Sequence, residues 1–316
     1  MLRPAPITQF FSFPITTAIA VGAIIVYIQT WMMGQTIDMM VMDGRVWDQW
    51  QLWRALTSVF PHAHVPLHLL FNLYWFWTFG TLLEREYGHF KYLGIILVLS
   101  YIAPLAEFMF LYGGIGLSGV VYGLWGMLWV LQRNDRRFIG AVDDRTSQTM
   151  IVWFFVCIVL TKLGIMPVAN IEHGVGAITG GLLGYLAGGR TPARIKSALG
   201  LVALTALVTL GSTILWPYCN RTPYAEAVVE GVALDRLEHK DNQAAVKYME
   251  KAVKMQHAGA STWYNLGVAY QDSGQMEKAV VAYIYAGHLP DADEDMKKLA
   301  WGLEHPQVEV QTNATH

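Results

Sequence analysis

Charged residues and cysteines are what this sequence has little of. Asp, Glu, Lys and Arg make up 15% of its 316 residues, whereas roughly 25% is usual for a soluble domain. The net charge of −2 gives no electrostatic basis for binding nucleic acid, which depends on neutralising phosphates. The two cysteines are Cys157, inside an apolar run, and Cys219, just after one, so no disulfide framework is predicted.

Long apolar runs dominate the first two thirds of the chain. Hydrophobic residues make up 54% of the sequence, and a bilayer-spanning helix needs about 20 predominantly apolar residues. The first run is too long for a signal peptide and has no small-residue cleavage site after it, so we interpret it as a retained anchor. We predict seven transmembrane helices, over residues 11–33, 67–83, 92–112, 117–131, 150–163, 175–186 and 199–216.

The basic residues between these runs predict the orientation. Lys and Arg cluster after the second, fourth and sixth runs, as in "QRNDRRF" and "GGRTPARIK". Loops rich in Lys and Arg stay in the cytoplasm. Seven crossings with a cytoplasmic amino terminus therefore place the chain after Trp216 outside the cytoplasm. Between the first two runs, Trp47, Trp50 and Trp53 recur every third residue and predict a helix in the headgroup region.

The composition changes after Pro217, where spanning runs stop and a repeat begins. The tetratricopeptide pattern resembles the segment "STWYNLGVAYQDSGQMEKAVVAYIYAGHLPD". A weaker copy lies about 34 residues earlier, in which Ala245 corresponds to Ala279 and Ala252 to Ala286. A further helix over residues 293–303 would cap the array. The predicted fold is all-α: a membrane core (1–198), a seventh membrane helix (199–216) and a small extracytoplasmic α-solenoid (217–316).

Reactive side chains lie in three of the predicted membrane helices. On a helical wheel Ser118 and Tyr122 share a face of the fourth span, and His173 shares a stripe with the glycines of the sixth. Glycine ridges let membrane helices approach closely, and both side chains lie near the outer ends of their helices. A nucleophile needs a base within about 3 Å, and this pair could meet that requirement, although a serine among glycines is also a common packing residue.

Three polar residues of the second span lie on one face near the same depth. His64, His68 and Asn72 are spaced by four residues, and an imidazole and a carboxamide there could donate hydrogen bonds to a developing oxyanion. A metal site built from His62, His64 and His68 is the competing interpretation. It lacks a nearby carboxylate, and the HExxH helix of zinc proteases is absent.

Four segments, taken together, resemble the rhomboid intramembrane serine proteases over residues 53–188: "WRALT", "HLLFN", "GLSGVVYG" and "HGVGAITGG". The resemblance implies that Ser118 is the nucleophile and His173 the general base of a dyad without an acid. It also implies that Tyr122 packs on the imidazole, and that His68, Asn72 and the Ser118 N–H form an oxyanion hole. No cofactor or metal is implied.

The resemblance also implies a setting and substrates. A seventh span followed by tetratricopeptide repeats resembles a bacterial "6+1" subgroup, which places the chain in the bacterial inner membrane. Substrates would be membrane proteins whose transmembrane segments unwind easily, and the repeats could bind an extracytoplasmic protein partner. Two other functions stay open: a catalytically inactive rhomboid-like scaffold that binds membrane clients, and a transporter or channel.

Two features depart from the family's usual pattern. Glu172 precedes His173 where the family usually has a small residue, and a carboxylate facing the imidazole would favour its charged form. We expect Glu172 to point about 100° away, toward the loop between the fifth and sixth spans. The histidine spacing is one residue longer than usual, so the upstream histidine with a structural role is either His62 or His64.

Overall fold

The computed structural model describes residues 5–34 and 37–306 of the chain. Residues 1–4, 35–36 and 307–316, which the predicted domains include, lie outside this description. The described residues divide into two compact units, with the boundary in the chain between Cys219 and Asn220, three residues beyond the predicted end of the seventh span. All regular structure in them is helical.

The first unit consists of long apolar helices joined by short ones. Its α-helices are α1 Pro14–Met33, α2 Gly44–Asp48, α3 Trp53–Thr57, α4 Pro66–Phe110, α5 Ser118–Asn134, α6 Asp144–Lys162, α7 Asn170–Gly188, α8 Thr191–Ser212 and α9 Trp216–Cys219. Three 3-10 helices lie at Ile7–Ser12, Asp38–Met40 and Arg136–Phe138. By length and composition alone, α1, α4 and α8 could cross a membrane. The count of seven crossings stays a prediction.

The second and third predicted spans form one helical run with a break. Within α4, Gly88 has φ 72° and ψ 166°, a conformation that residues with a side chain rarely adopt, so the chain turns there between two helices. Just before this break, Glu84 is buried and accepts hydrogen bonds from the backbone N–H groups of Ile15 (3.0 Å) and Thr16 (2.9 Å). These groups have no partner within α1, so Glu84 caps that helix from a distance.

Helices α5 and α7 make the closest contact in the membrane unit. A Cβ atom added at Gly176 would meet the carbonyl oxygen of Gly119, and one at Gly180 would meet that of Gly123. The glycine ridges predicted from the sequence therefore face each other, and the two backbones touch. This packing brings the amino-terminal ends of both helices side by side.

The predicted tryptophan helix is wrong. The segment forms two short helices, α2 and α3, with Trp50 between them at φ 57°. Residues spaced by three would lie near one face of a continuous helix, but the positive φ at Trp50 interrupts the helix between Trp47 and Trp53. Trp47 is instead buried against Trp216, with ring centroids 5.8 Å apart, whereas Trp50 and Trp53 are exposed.

The second unit is a row of antiparallel helices. They are α10 Pro223–Glu238, α11 Asn242–Ala252, α12 Ala260–Asp272, α13 Met276–His288 and α14 Glu294–Glu304. The alanines that define the repeat, Ala245, Ala252, Ala279 and Ala286, are fully buried. The Asp293 side chain accepts a hydrogen bond from the Met296 N–H and caps α14, one residue from the predicted start of the final helix.

Candidate active site

The structure brings Ser118 and His173 into contact. Ser118 is the first residue of α5 and His173 lies in the first turn of α7, so the contact between these helices places both side chains together. Ser118 Oγ and His173 Nε2 are 2.8 Å apart. His173 is 3% exposed, and its other nitrogen, Nδ1, has no hydrogen-bond partner among the described residues. A hydroxyl and an imidazole in this geometry can exchange a proton, and no carboxylate within residues 5–34 and 37–306 hydrogen-bonds to the imidazole.

Tyr122 holds the imidazole from one side. It lies one helical turn after Ser118, and its ring stacks on His173 with centroids 4.7 Å apart and planes at 26°. Its hydroxyl donates a hydrogen bond of 3.0 Å to the carbonyl oxygen of Met150. Because the ring is held at both its face and its hydroxyl, it restricts the imidazole to one orientation.

The turn before Ser118 depends on a glycine and a histidine. Gly116 has φ 107°, which disfavours any side chain there, and its N–H donates to the Ser58 carbonyl oxygen at 2.9 Å. His62 lies beneath this turn. With its proton on Nδ1, His62 donates to the Phe60 carbonyl oxygen (2.9 Å) and its Nε2 accepts from the Leu117 N–H (3.3 Å).

These contacts give the structural role to His62 and leave His64 outside it. His64 is exposed and stacks on Trp31, with ring centroids 5.9 Å apart. Both nitrogens of His62 are engaged with the backbone, so neither is available to a metal. No group of three or more His, Cys, Asp or Glu side chains in the described ranges is placed to hold a metal ion.

His68 lies beside the turn that precedes Ser118, and Asn72 lies one helical turn further along α4. The imidazole of His68 lies 5.2 Å from that of His62, measured between ring centroids, and a Cβ atom on Gly116 would lie 3.3 Å from His68 Cε1. Asn72 is 2% exposed, and its Nδ2 has no hydrogen-bond partner in the described part of the chain. An unpaired buried donor costs about 1–3 kcal/mol, so a ligand that accepts from it would recover that energy.

The expectation that Glu172 points toward the loop between the fifth and sixth spans is wrong. The side chain is buried and lies against Gly114 and Gly119, at the start of α5. These glycines leave space that a carboxyl can fill. A second buried carboxyl, Glu107, accepts from the Glu172 N–H at 2.9 Å. The sequence reasoning missed Glu107, although a lone acidic residue in an apolar span is itself a signal.

The comparisons with known proteins match the two units separately. Residues 49–190 match the rhomboid domain. That stretch is therefore similar to rhomboid domains. Residues 260–284 of the chain match a tetratricopeptide repeat, which agrees with helices α12 and α13. Together these matches confirm the resemblance drawn from the motifs, and the rhomboid match includes Ser118, Tyr122, His173, His68 and Asn72.

Curated relatives of the rhomboid domain are named as proteases. The chain is 33% identical over 181 residues to the rhomboid protease GlpG of Serratia proteamaculans, covering 54% of this chain and 62% of that protein. GlpG of Yersinia pestis is 32% identical over 179 residues, with the same coverage. The rhomboid protease GluP of Bacillus subtilis is 28% identical over 262 residues, covering 71% of this chain and 50% of the relative. The chain thus spans between half and about three fifths of these relatives. The matches and the apolar helices together make it a multi-pass integral membrane protein.

Proposed function

We propose that this protein is a serine endopeptidase that hydrolyses peptide bonds in or near the transmembrane segments of membrane proteins. The observation that supports it most strongly is the 2.8 Å contact between Ser118 Oγ and His173 Nε2, which is the distance that nucleophile and base require. The named rhomboid proteases among the relatives point to the same reaction.

The reaction uses the two side chains in turn. His173 Nε2 accepts the hydroxyl proton as Ser118 Oγ attacks the substrate carbonyl carbon, which forms a tetrahedral intermediate with a negative oxygen. When the peptide C–N bond breaks, the imidazolium returns its proton to the leaving amine. A water molecule then hydrolyses the acyl-enzyme, again with His173 as base, and Ser118 recovers its proton. Tyr122 keeps the imidazole aimed at Ser118 throughout.

Three donors would stabilise the negative oxygen. The first N–H groups of a helix have no partner within it, so the Ser118 N–H at the start of α5 is a donor. The unpaired Nδ2 of Asn72 and the imidazole of His68 are the others. Removing one such donor from a preorganised oxyanion hole costs about 2.7–4 kcal/mol of transition-state stabilisation.

The substrate must expose a carbonyl group to this site. An intact transmembrane helix engages its carbonyl groups in its own hydrogen bonds, so its end must unwind before attack. Glycine or proline near the outer end of the substrate helix lowers the cost of unwinding. The reaction also needs water, and non-helical backbone at membrane depth is tolerated only beside a water-filled cavity or within protein.

The proposal includes the orientation of the chain in the membrane. The basic clusters after the second, fourth and sixth apolar runs favour a cytoplasmic amino terminus in the bacterial inner membrane. The site then opens near the external face, and the tetratricopeptide unit lies outside the cytoplasm. That unit would bind extracytoplasmic parts of substrates or an adaptor protein, which raises their concentration at the site.

Cleavage in reconstituted vesicles tests the function. Purified protein is mixed with a single-span substrate that carries a Gly-Pro pair near its outer end, and products are mapped by mass spectrometry. We expect cleavage by the wild type, none above background by Ser118→Ala or His173→Ala, and wild-type rates for the control Ser100→Ala, a serine in α4. A folded wild type that binds the substrate without cutting it would favour the inactive scaffold instead.

Comparing membrane fragments from cells then identifies the substrates. Native cells are compared with cells that carry Ser118→Ala, and peptides released from membrane proteins are quantified. We expect fragments that end within or beside transmembrane segments to appear only with the wild type. Equal fragment profiles would contradict an endopeptidase role in those cells.

A further inference from the structure

Neither helix that carries the proposed catalytic pair has a cap of its own. The residue before α5 is Leu117 and the residue before α7 is Ala169, and neither provides a side-chain hydrogen bond to the first turn. The first N–H groups of a helix need an acceptor when they are buried, and a cap contributes about 0.5–2 kcal/mol. Both helix ends lie within the membrane unit, so the acceptors must come from elsewhere in the fold.

Glu107 provides the acceptor for α7. It lies in the last turn of α4, is 4% exposed, and accepts the Glu172 N–H at Oε2 over 2.9 Å. The Ile171 N–H also bonds to this carboxyl. Both N–H groups belong to the first turn of α7, immediately before His173.

Glu172 provides the acceptor for α5. Its side chain leaves the first turn of α7, and Oε1 lies against the backbone of Gly119, whose N–H bonds to the carboxyl. Gly119 follows Ser118 directly. The other oxygen, Oε2, fills the space beside Gly114, where a Cβ atom would collide with it. A side chain at either glycine would displace the carboxyl.

We infer that Glu107 and Glu172 are positioning residues, acting as two linked caps that hold Ser118 and His173 in register. Glu107 connects the end of α4 to the start of α7, and Glu172 connects the start of α7 to the start of α5. The arrangement also occupies the Gly119 N–H and leaves the Ser118 N–H for the oxyanion. This inference rests on the proposed Ser118–His173 chemistry.

Variants at both carboxyls in the full-length protein test this role. Glu172→Ala and Glu107→Ala remove the acceptor, whereas Glu172→Gln and Glu107→Gln keep one acceptor oxygen and replace the other by an NH2 group. Glu84→Ala is the matched control, because Glu84 is also a buried carboxyl that caps a helix, α1, away from the catalytic pair. If the alanine variants do not fold, Glu172→Met and Glu107→Met, which fill similar space without an acceptor, replace them.

Two measurements are made for each variant: kcat and KM for the vesicle substrate per folded molecule, and amide hydrogen exchange in the first turns of α5 and α7. We expect the acceptor-free variants to lose roughly 10- to 100-fold in kcat with KM within about twofold, since a misplacement of ~1 Å can cost 10²-fold. Their first-turn amides should exchange at least about threefold faster, and the Gln variants should stay near wild type.

The outcomes separate this inference from the proposed function. Acceptor-free variants with wild-type kcat and exchange would overturn it, and so would a Glu84→Ala control that loses as much kcat per folded molecule. A wild type without any cleavage would remove the proposed function alone. In that case amide hydrogen exchange tests the linked caps by itself. Faster exchange at the start of α5 in Glu172→Ala supports them, and unchanged exchange overturns them.

Discussion

His62 shows what single residues add to the site beyond the catalytic motifs. It touches neither Ser118 nor His173 in any hydrogen bond, but it joins the Phe60 carbonyl to the Leu117 N–H. It therefore fixes the turn from which Ser118 projects. The sequence could not choose between His62 and His64, because both precede α4 and differ only in which of them folds under the turn.

The positive φ of Gly116 predicts the effect of a substitution at this residue. Gly116→Ala places a Cβ atom at φ 107°, which costs about 1–3 kcal/mol for a residue other than glycine, and the strain falls on the turn that carries Ser118. We expect lower thermal stability and a lower cleavage rate. The control is Gly94→Ala in α4, where a Cβ atom would meet nothing within 4 Å. Equal effects of both changes would contradict this account of the turn.

Two variants at Tyr122 distinguish the effect of its ring stacking on His173 from the effect of its hydroxyl hydrogen bond. Tyr122→Phe keeps the ring on His173 and loses only the bond to Met150, so we expect a stability loss of about 1 kcal/mol and a small change in kcat. Tyr122→Ala removes the stacked ring and should reduce kcat much further. Thermal unfolding and steady-state cleavage provide the two readouts. A Phe variant as slow as the Ala variant would show that the hydroxyl, not the ring, matters.

At the scale of elements, the pairing of α5 with α7 sets the geometry of the site. Backbone contact at Gly119–Gly176 and Gly123–Gly180 leaves no room for either helix to slide or rotate. The glycine spacing in the sequence indicated which faces meet. The spacing could not show that Glu107 of α4 caps α7, because Glu107 and Glu172 are 65 residues apart and their contact exists only in the folded chain. For the same reason it could not show that Glu172 of α7 caps α5.

Adjacent glycines of α7 provide a test of this pairing. A Cβ atom at Gly180 would collide with the Gly123 carbonyl, whereas one at Gly181 would lie 3.8 Å from Val130 Cγ2, an ordinary contact. We expect Gly180→Ala to cost about 1–3 kcal/mol of stability and most of the activity. Gly181→Ala should be neutral or stabilising, because alanine favours a helix. Thermal unfolding and cleavage compare them, and reversed effects would contradict the packing.

Helix boundaries show where sequence reasoning reached its limit. The sixth span was predicted over residues 175–186, but α7 runs over Asn170–Gly188 and therefore includes Glu172 and His173. Apolar runs mark the part of a helix that lipid or core surrounds, whereas polar residues at its ends continue the same backbone. His173 lies in such a polar end, so the apolar run stopped short of it, and only the glycine stripe it shares with the sixth span placed it in the helix.

At the scale of the whole molecule, the chain joins a membrane unit to a helical repeat unit. The tetratricopeptide pattern was readable because its small residues must be buried at fixed spacing, as Ala279 and Ala286 are. The binding partner of the repeat could not be predicted from the sequence, since binding depends on exposed side chains that the repeat pattern does not specify. The proposed role is recruitment, which predicts separate effects on native and model substrates.

Removing residues 224–316 tests recruitment. We expect slower cleavage of native substrates that have extracytoplasmic domains, expressed mainly as a higher KM, because the local concentration of substrate at the site falls. A short model substrate without such a domain should be cut at the original rate, which also shows that the membrane unit remains folded. Unchanged cleavage of every native substrate would contradict recruitment.

Covalent labelling of Ser118 tests the central claim most directly. A fluorophosphonate probe is added to the purified full-length protein, and the modified residue is identified by peptide mass spectrometry. The account predicts a single adduct on Ser118, absent in Ser118→Ala and formed roughly 10²- to 10⁴-fold more slowly in His173→Ala, as expected for loss of a general base. An adduct on another serine, or undiminished labelling in His173→Ala, would contradict it.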